Sequence, residues 1–133
     1  MSLISARKAG ALLVLAAAIS VPAIAAAPAQ AAGSPVVKAS GACAGGGVWT
    51  LKAKHDGARI EVEYEIDTNR AGQFWHVGIS DNNIGLYSAK KWTVPPSGSF
   101  TVHLLVPNRA GLDTIRTHST YTSGHSCTGS LHL

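Results

Sequence analysis

Six histidines, two cysteines and a run of alternating glutamates are the residues of this 133-residue chain with the most chemistry to offer. The histidines are His55, His76, His103, His118, His125 and His132. None is spaced His-x-His or His-x-x-x-His, so a zinc or copper site would have to be assembled by the fold. If His76, His118 and His132 lie on neighbouring strands of one sheet, parity turns all three to its outer face, but parity leaves their relative heights open. The Ser123-Gly124 turn predicts a hairpin with His132 opposite Arg116, a guanidinium that repels a divalent cation. No metal site is therefore expected, and no zinc or copper affinity tighter than roughly 10 μM. Glu61, Glu63 and Glu65 share one strand face. An acid–base pair needs one carboxyl buried to raise its pKa, and a solvated face with Lys52 opposite Glu61 is the simpler reading. Gly78-Ile79-Ser80-Asp81-Asn82 lacks the closing glycine of a nucleophile elbow. Gly45-Gly46-Gly47 lacks the lysine and the helix of a phosphate loop. The chain thus offers no catalytic residue and implies no cofactor.

Aromatic residues are the remaining candidates. Trp49 and Trp75 fall on apolar strand faces and belong to the core. Trp92 follows Lys90-Lys91 and precedes Thr93-Val94-Pro95, at the end of an edge strand, and is the tryptophan expected at the surface. With Tyr87, and with Lys90 and Lys91 beside it, it is a candidate platform for a sugar ring or another flat ligand. Packing of Trp92 on Pro95 is the plainer alternative.

The elements that must position these residues read as strands. Val48 to Ile66 alternates apolar and polar residues on either side of Asp56-Gly57, a dipeptide that favours a two-residue type I′ hairpin turn. With Asp56 and Gly57 as the two central residues, Leu51 faces Val62, Trp49 faces Tyr64 and Lys52 faces Glu61, leaving Lys54 opposite Arg59 as a misfit. Further strands are expected over Gln73–Ser80, Ile84–Lys91 (an edge), Phe100–Val106, Asp113–Tyr121 and Cys127–Leu133. That makes about seven strands, with turn signals every 8 to 12 residues and no helical period. The pattern predicts an all-β, immunoglobulin-like antiparallel β-sandwich over 43–133, with a small closed barrel as the alternative. Residues 32–42 read as a flexible N-terminal lead.

Met1 to Ala31 reads as a signal peptide. Arg7 and Lys8 precede an apolar run over Gly10–Val21, and Ala29-Gln30-Ala31 fits the cleavage rule. The run is short for a membrane span, so no stable membrane insertion is expected after cleavage. Two of the eleven cationic residues leave with the signal, and the net charge falls from +4 to +2. The remaining cations are scattered, without the basic patch that nucleic-acid binding requires, so no nucleic-acid partner is expected. Two cysteines in an exported domain point to a disulfide, here Cys43 with Cys127, tying the two ends of the domain together.

The mature chain resembles the small exported Ig-like proteins of actinobacteria. The resemblance rests on Cys43, Trp49-x-Leu51, Ile60-Glu61-Val62-Glu63, Asp67-x-Asn69-Arg70 and Gly72-Gln73-x-Trp75. It continues through Ser97-Gly98-Ser99-Phe100 and Asn108-Arg109-Ala110-Gly111-x-Asp113 to Cys127. It implies the sandwich, export and the terminal disulfide, and it transfers no catalytic residue. The expected function is that of a secreted, non-enzymatic binding or interaction module whose partner is an extracellular protein, a glycan or a small molecule. A carrier of a small apolar or aromatic molecule is the alternative, and a secreted hydrolase is the third.

Overall fold

A computed structural model describes residues 33–133, together with Gly10, Pro22 and Ala23. The rest of the expected signal peptide lies outside the described residues. Eight antiparallel strands follow one another: β1 (Val37–Ala42), β2 (Val48–Asp56), β3 (Arg59–Asp67), β4 (Phe74–Asp81), β5 (Ile84–Trp92), β6 (Ser99–Pro107), β7 (Thr114–Thr120) and β8 (Ser126–His132). They form two four-stranded sheets, ordered β1-β2-β3-β6 and β5-β4-β7-β8. β3 pairs with β6 and β4 with β7, so the chain passes repeatedly from one sheet to the other. This is the interleaving of an Ig-like sandwich. Among the described residues no helix is long and apolar enough to cross a membrane.

Alternation in the sequence becomes two buried inner faces. Leu51, Ile60, Val62, Tyr64 and Ile66 of the first sheet are fully buried, as are Trp75 and Ile115 of the second. The Tyr64 hydroxyl meets the Ser119 Oγ at 3.1 Å across the sandwich, giving the buried phenol a partner in the opposite sheet. Burial pushes the Tyr64 pKa up, and the hydrogen bond to Ser119 opposes the shift.

The strands expected from the sequence are present, and β1 is an addition. The segment expected to be a flexible lead contains β1, whose Gly41 lies opposite Trp49 and faces the indole. A Cβ at Gly41 would stand 2.9 Å from the Trp49 Nε1. The small side chains that make Val37–Ala42 a weak strand signal are the ones that let it lie beside a tryptophan.

The first hairpin corrects the expected register. Asp56 pairs with Arg59, so the central turn residues are Gly57 and Ala58. Gly57 alone of the two has a positive φ, +59°, as the first central residue of a type II′ turn requires. Leu51 consequently faces Tyr64, Lys52 faces Glu63 and Lys54 faces Glu61. Each partner moves by two residues, so every side chain keeps its face. The gain is electrostatic: Lys54 exchanges Arg59 for Glu61, and Asp56 takes Arg59. The type I′ φ pattern belongs to the next hairpin instead, where Asn82 and Asn83 have φ of 47° and 66° between Asp81 and Ile84.

Cys43 and Cys127 are joined by a disulfide, with Cα atoms 4.4 Å apart. The Ala44–Ser126 bridge lies beside it. Together they close the sandwich along the seam between the end of β1 and the start of β8.

Candidate functional site

The outer face of the β5-β4-β7-β8 sheet brings together aromatic, cationic and imidazole side chains. Phe74 and Trp92 are directly opposite each other on β4 and β5, with ring centroids 4.4 Å apart and planes 33° apart. Trp92 is 57% exposed. The Lys90 ammonium stands 5.3 Å over the Phe74 ring, and His76 meets that ring edge-on at 6.0 Å. His76 and Lys90 are themselves a directly opposed pair.

Beyond this corner the face is low. Gly78 of β4 lies between Ser88 of β5 and His118 of β7, so three adjacent strands present one hydroxymethyl group, no side chain, and one imidazole. The result is a shallow depression of about 400 Å³ lined by His76, Gly78, Ser88, Lys90 and His118. A second depression of about 410 Å³ shares Gly78 and His118 and runs on to Ser80, Arg116 and Thr128. Asp81 is the only acidic residue in these four strands, and it is buried on the inner face.

The sequence-derived candidates separate here. Trp92 and Lys90 belong to the corner. Tyr87 does not, because it pairs with buried Ile79 and packs against the core, an odd number of residues from Trp92 and therefore on the opposite side of β5. Lys91 is opposite buried Trp75 and likewise faces away from Lys90. Phe74 replaces Tyr87 as the partner of Trp92. Only the cross-strand register reveals this pairing, since the two residues are separated by eighteen positions.

The histidines divide in the same way. His76 and His118 are diagonal neighbours, His76 pairing with Thr120 and His118 with Gly78. His132 is opposite Thr114, not Arg116. It accordingly lies about four residues further along the sheet than His118, roughly 13 Å. Its Nδ1 meets the Thr114 hydroxyl at 3.1 Å, while the His118 Nδ1 meets Thr128 at 3.3 Å. His55 is turned to the inner side, with its Nδ1 3.1 Å from the Asn108 amide.

Sequence reasoning missed a pair of buried carboxyls. Asp81 and Asp113 are 2% and 0% exposed at one end of the sandwich. Asp81 Oδ1 accepts a hydrogen bond from the Thr114 backbone N–H at 3.2 Å, whereas neither Asp113 oxygen has a hydrogen-bonding partner among the described residues. Burial raises the Asp113 pKa, and the neighbouring Asp81 raises it further. Adjacent buried carboxyls resist double ionisation. The signal available in the sequence was the Leu112-Asp113-Thr114-Ile115 run, which sets Asp113 in phase with the inward-facing Ile115.

Several motif residues behind the family resemblance form a stitched loop end. Thr68 donates both its N–H and its hydroxyl to the Gly98 carbonyl at 3.0 Å, and buried Thr93 donates its hydroxyl to the Arg70 carbonyl at 2.6 Å. The Trp75 indole N–H reaches the Gln73 carboxamide at 3.2 Å. Gly98 has φ +71° with the Arg70 backbone pressed against it, leaving no room for a Cβ. These residues hold loops together. No family model, characterised protein or solved structure matches this chain significantly.

Proposed function

We propose that this protein is an exported, non-enzymatic Ig-like binding module of the kind its sequence resembles among actinobacterial proteins, and that it presents the outer face of the β5-β4-β7-β8 sheet to an extracellular ligand. The carrying observation is the Phe74–Trp92 corner: a 57% exposed indole held in place by a cross-strand aromatic, with Lys90 beside it and an open depression next to it. An exposed ring held by a cross-strand aromatic, with a cation over its neighbour, offers a flat ligand both a stacking face and a charge. Export is supported by the disulfide, which is at home in an oxidising compartment, and by the N-terminal signal pattern.

The carrier alternative needs space between the sheets, where the bulky side chains of Tyr64, Trp75, Leu51, Ile60 and Ile115 are buried. A hydrolase needs carboxyls or a nucleophile within reach of substrate, and Asp81 and Asp113 are sealed from solvent. Binding to a panel of soluble glycans, measured by calorimetry on the secreted protein, tests the proposal. Trp92→Ala should weaken binding at least tenfold while lowering the melting temperature only by the small amount that one cross-strand aromatic pair contributes. Binding that survives both Trp92→Ala and Phe74→Ala would place the ligand elsewhere.

A further inference from the structure

Building on that reading, we infer that the ligand is an acidic polysaccharide lying along β4, one ring stacked on the Phe74–Trp92 corner and its anionic groups met by Lys90 and Arg116. The charge layout selects the acidity. Lys90 and Arg116 are the two fixed cations on the outer face, and no carboxylate on that face neutralises either of them. The Arg116 guanidinium donates to the Asn83 side-chain Oδ1 at 3.0 Å, which orients it while leaving its charge uncompensated. Geometry selects a polymer. Phe74 and Ser80, the positions opposite Trp92 and Arg116, are six residues apart on β4, so the track is roughly 20 Å long.

The polar character of the track selects a sugar over other polyanions. Between the two cations the exposed groups are the hydroxyls of Ser88 and Thr128 and the imidazoles of His76 and His118, around a glycine floor. Hydroxyl-rich chains exchange hydrogen bonds with such groups, and an unobstructed floor admits a pyranose ring lying flat. A single-stranded nucleic acid would call for aromatics repeated along the track, and here they occur at one end only.

The full exported protein should be titrated with polygalacturonate, with its methyl-esterified neutral form, with poly-glutamate and with a single-stranded DNA oligonucleotide. Polygalacturonate should bind, weakening severalfold between about 50 mM and about 500 mM NaCl as the charges are screened. The esterified form should bind at least tenfold more weakly. Gly78→Glu places a carboxylate in the track at a position where a Cβ meets nothing closer than 3.5 Å, so it should fold normally and lose polygalacturonate binding. Lys90→Glu should do the same. Equal binding of the esterified form would overturn the acidic specificity while leaving the sheet-face module intact. Poly-glutamate or DNA binding as tightly as polygalacturonate would overturn the sugar assignment. Failure of every probe, with a folded protein, would overturn the inference, and the glycan panel with Trp92→Ala would then decide separately whether the face binds anything.

Discussion

The two outer faces of this sandwich are built from similar strands and spend their charge in opposite ways. On the β1-β2-β3-β6 sheet, Lys52 meets Glu63 and Lys54 meets Glu61, each at 3.2 Å, and Thr101 donates to Glu65 at 3.3 Å. His103 comes within 3.7 Å of Glu63. That face pairs Glu61 and Glu63 with its own lysines, and its hollow is only about 100 Å³. On the β5-β4-β7-β8 sheet the cations have no acid to meet, a tryptophan stands exposed, and glycine replaces a side chain at the centre. One face is occupied with holding strands in register, and the other is left for an encounter. Charge pairing within a sheet and charge available for binding are alternatives, and this fold assigns one to each side.

The disulfide beneath both faces carries the largest expected effect. Replacing Cys43 and Cys127 together by alanine should cost up to about 4 kcal/mol, because the bridge closes a loop of 84 positions in the unfolded chain. Urea denaturation with and without reductant measures it, and alkylation of the native protein without reductant should modify neither thiol.

Asp113→Asn should stabilise the domain at neutral pH by about 1 kcal/mol or more, since the variant no longer holds an ionisable carboxyl in the interior. The sign follows from the raised pKa. The folded state holds the Asp113 proton more tightly than the unfolded chain does, so this residue's contribution is complete below the ordinary carboxylate range. It is lost as pH rises through the raised value. The stability gap between variant and parent should therefore widen from acid toward neutral pH in parallel denaturation series. A gap that narrows instead would show Asp113 paired in its ionised form.

Gly57→Val should cost more than about 1 kcal/mol, because a β-branched residue is poorly tolerated at φ +59°. Its damage should fall on the charge-paired face, seen as lost amide protection across β2 and β3 while β4 and β7 keep theirs.

The smallest effects separate the faces most cleanly. Glu63→Gln removes a carboxylate shared by Lys52 and His103 and should cost about 0.2–1 kcal/mol, less in high salt. Lys90→Gln should leave stability within about 0.5 kcal/mol and act on binding alone. Equal stability losses in the two variants would erase the distinction drawn between the faces.

Much of the fold was legible in the sequence because it depends on side-chain period, which does not change when a pairing slips by two. Leu51 faces Tyr64 where Val62 was expected, and His132 faces Thr114 where Arg116 was expected, yet each lies on its expected face. Heights along a sheet depend on which turn residue takes the positive φ, and Asp56-Gly57 and Gly57-Ala58 differ there by one step. The binding corner was half legible for the same reason. An exposed Trp92 follows from its edge position, but Phe74 enters only through strand pairing. β1 was obscured by small residues that serve Trp49, and Asp113 by the rarity of a buried acid without a partner.

The placement of the disulfide has a mechanical consequence. A pull applied at Val37 and Leu133 reaches Cys43 and Cys127 after a few residues, and from there it runs through the covalent bridge. Tension can peel β1 from β2 and draw β8 off β7 beyond Cys127, while the covalent chain from β2 through β7 lies outside the tensioned path. The strands that carry Phe74, Lys90 and Trp92 lie off that path, and the aromatic corner would keep its geometry while the ends of the domain were under strain.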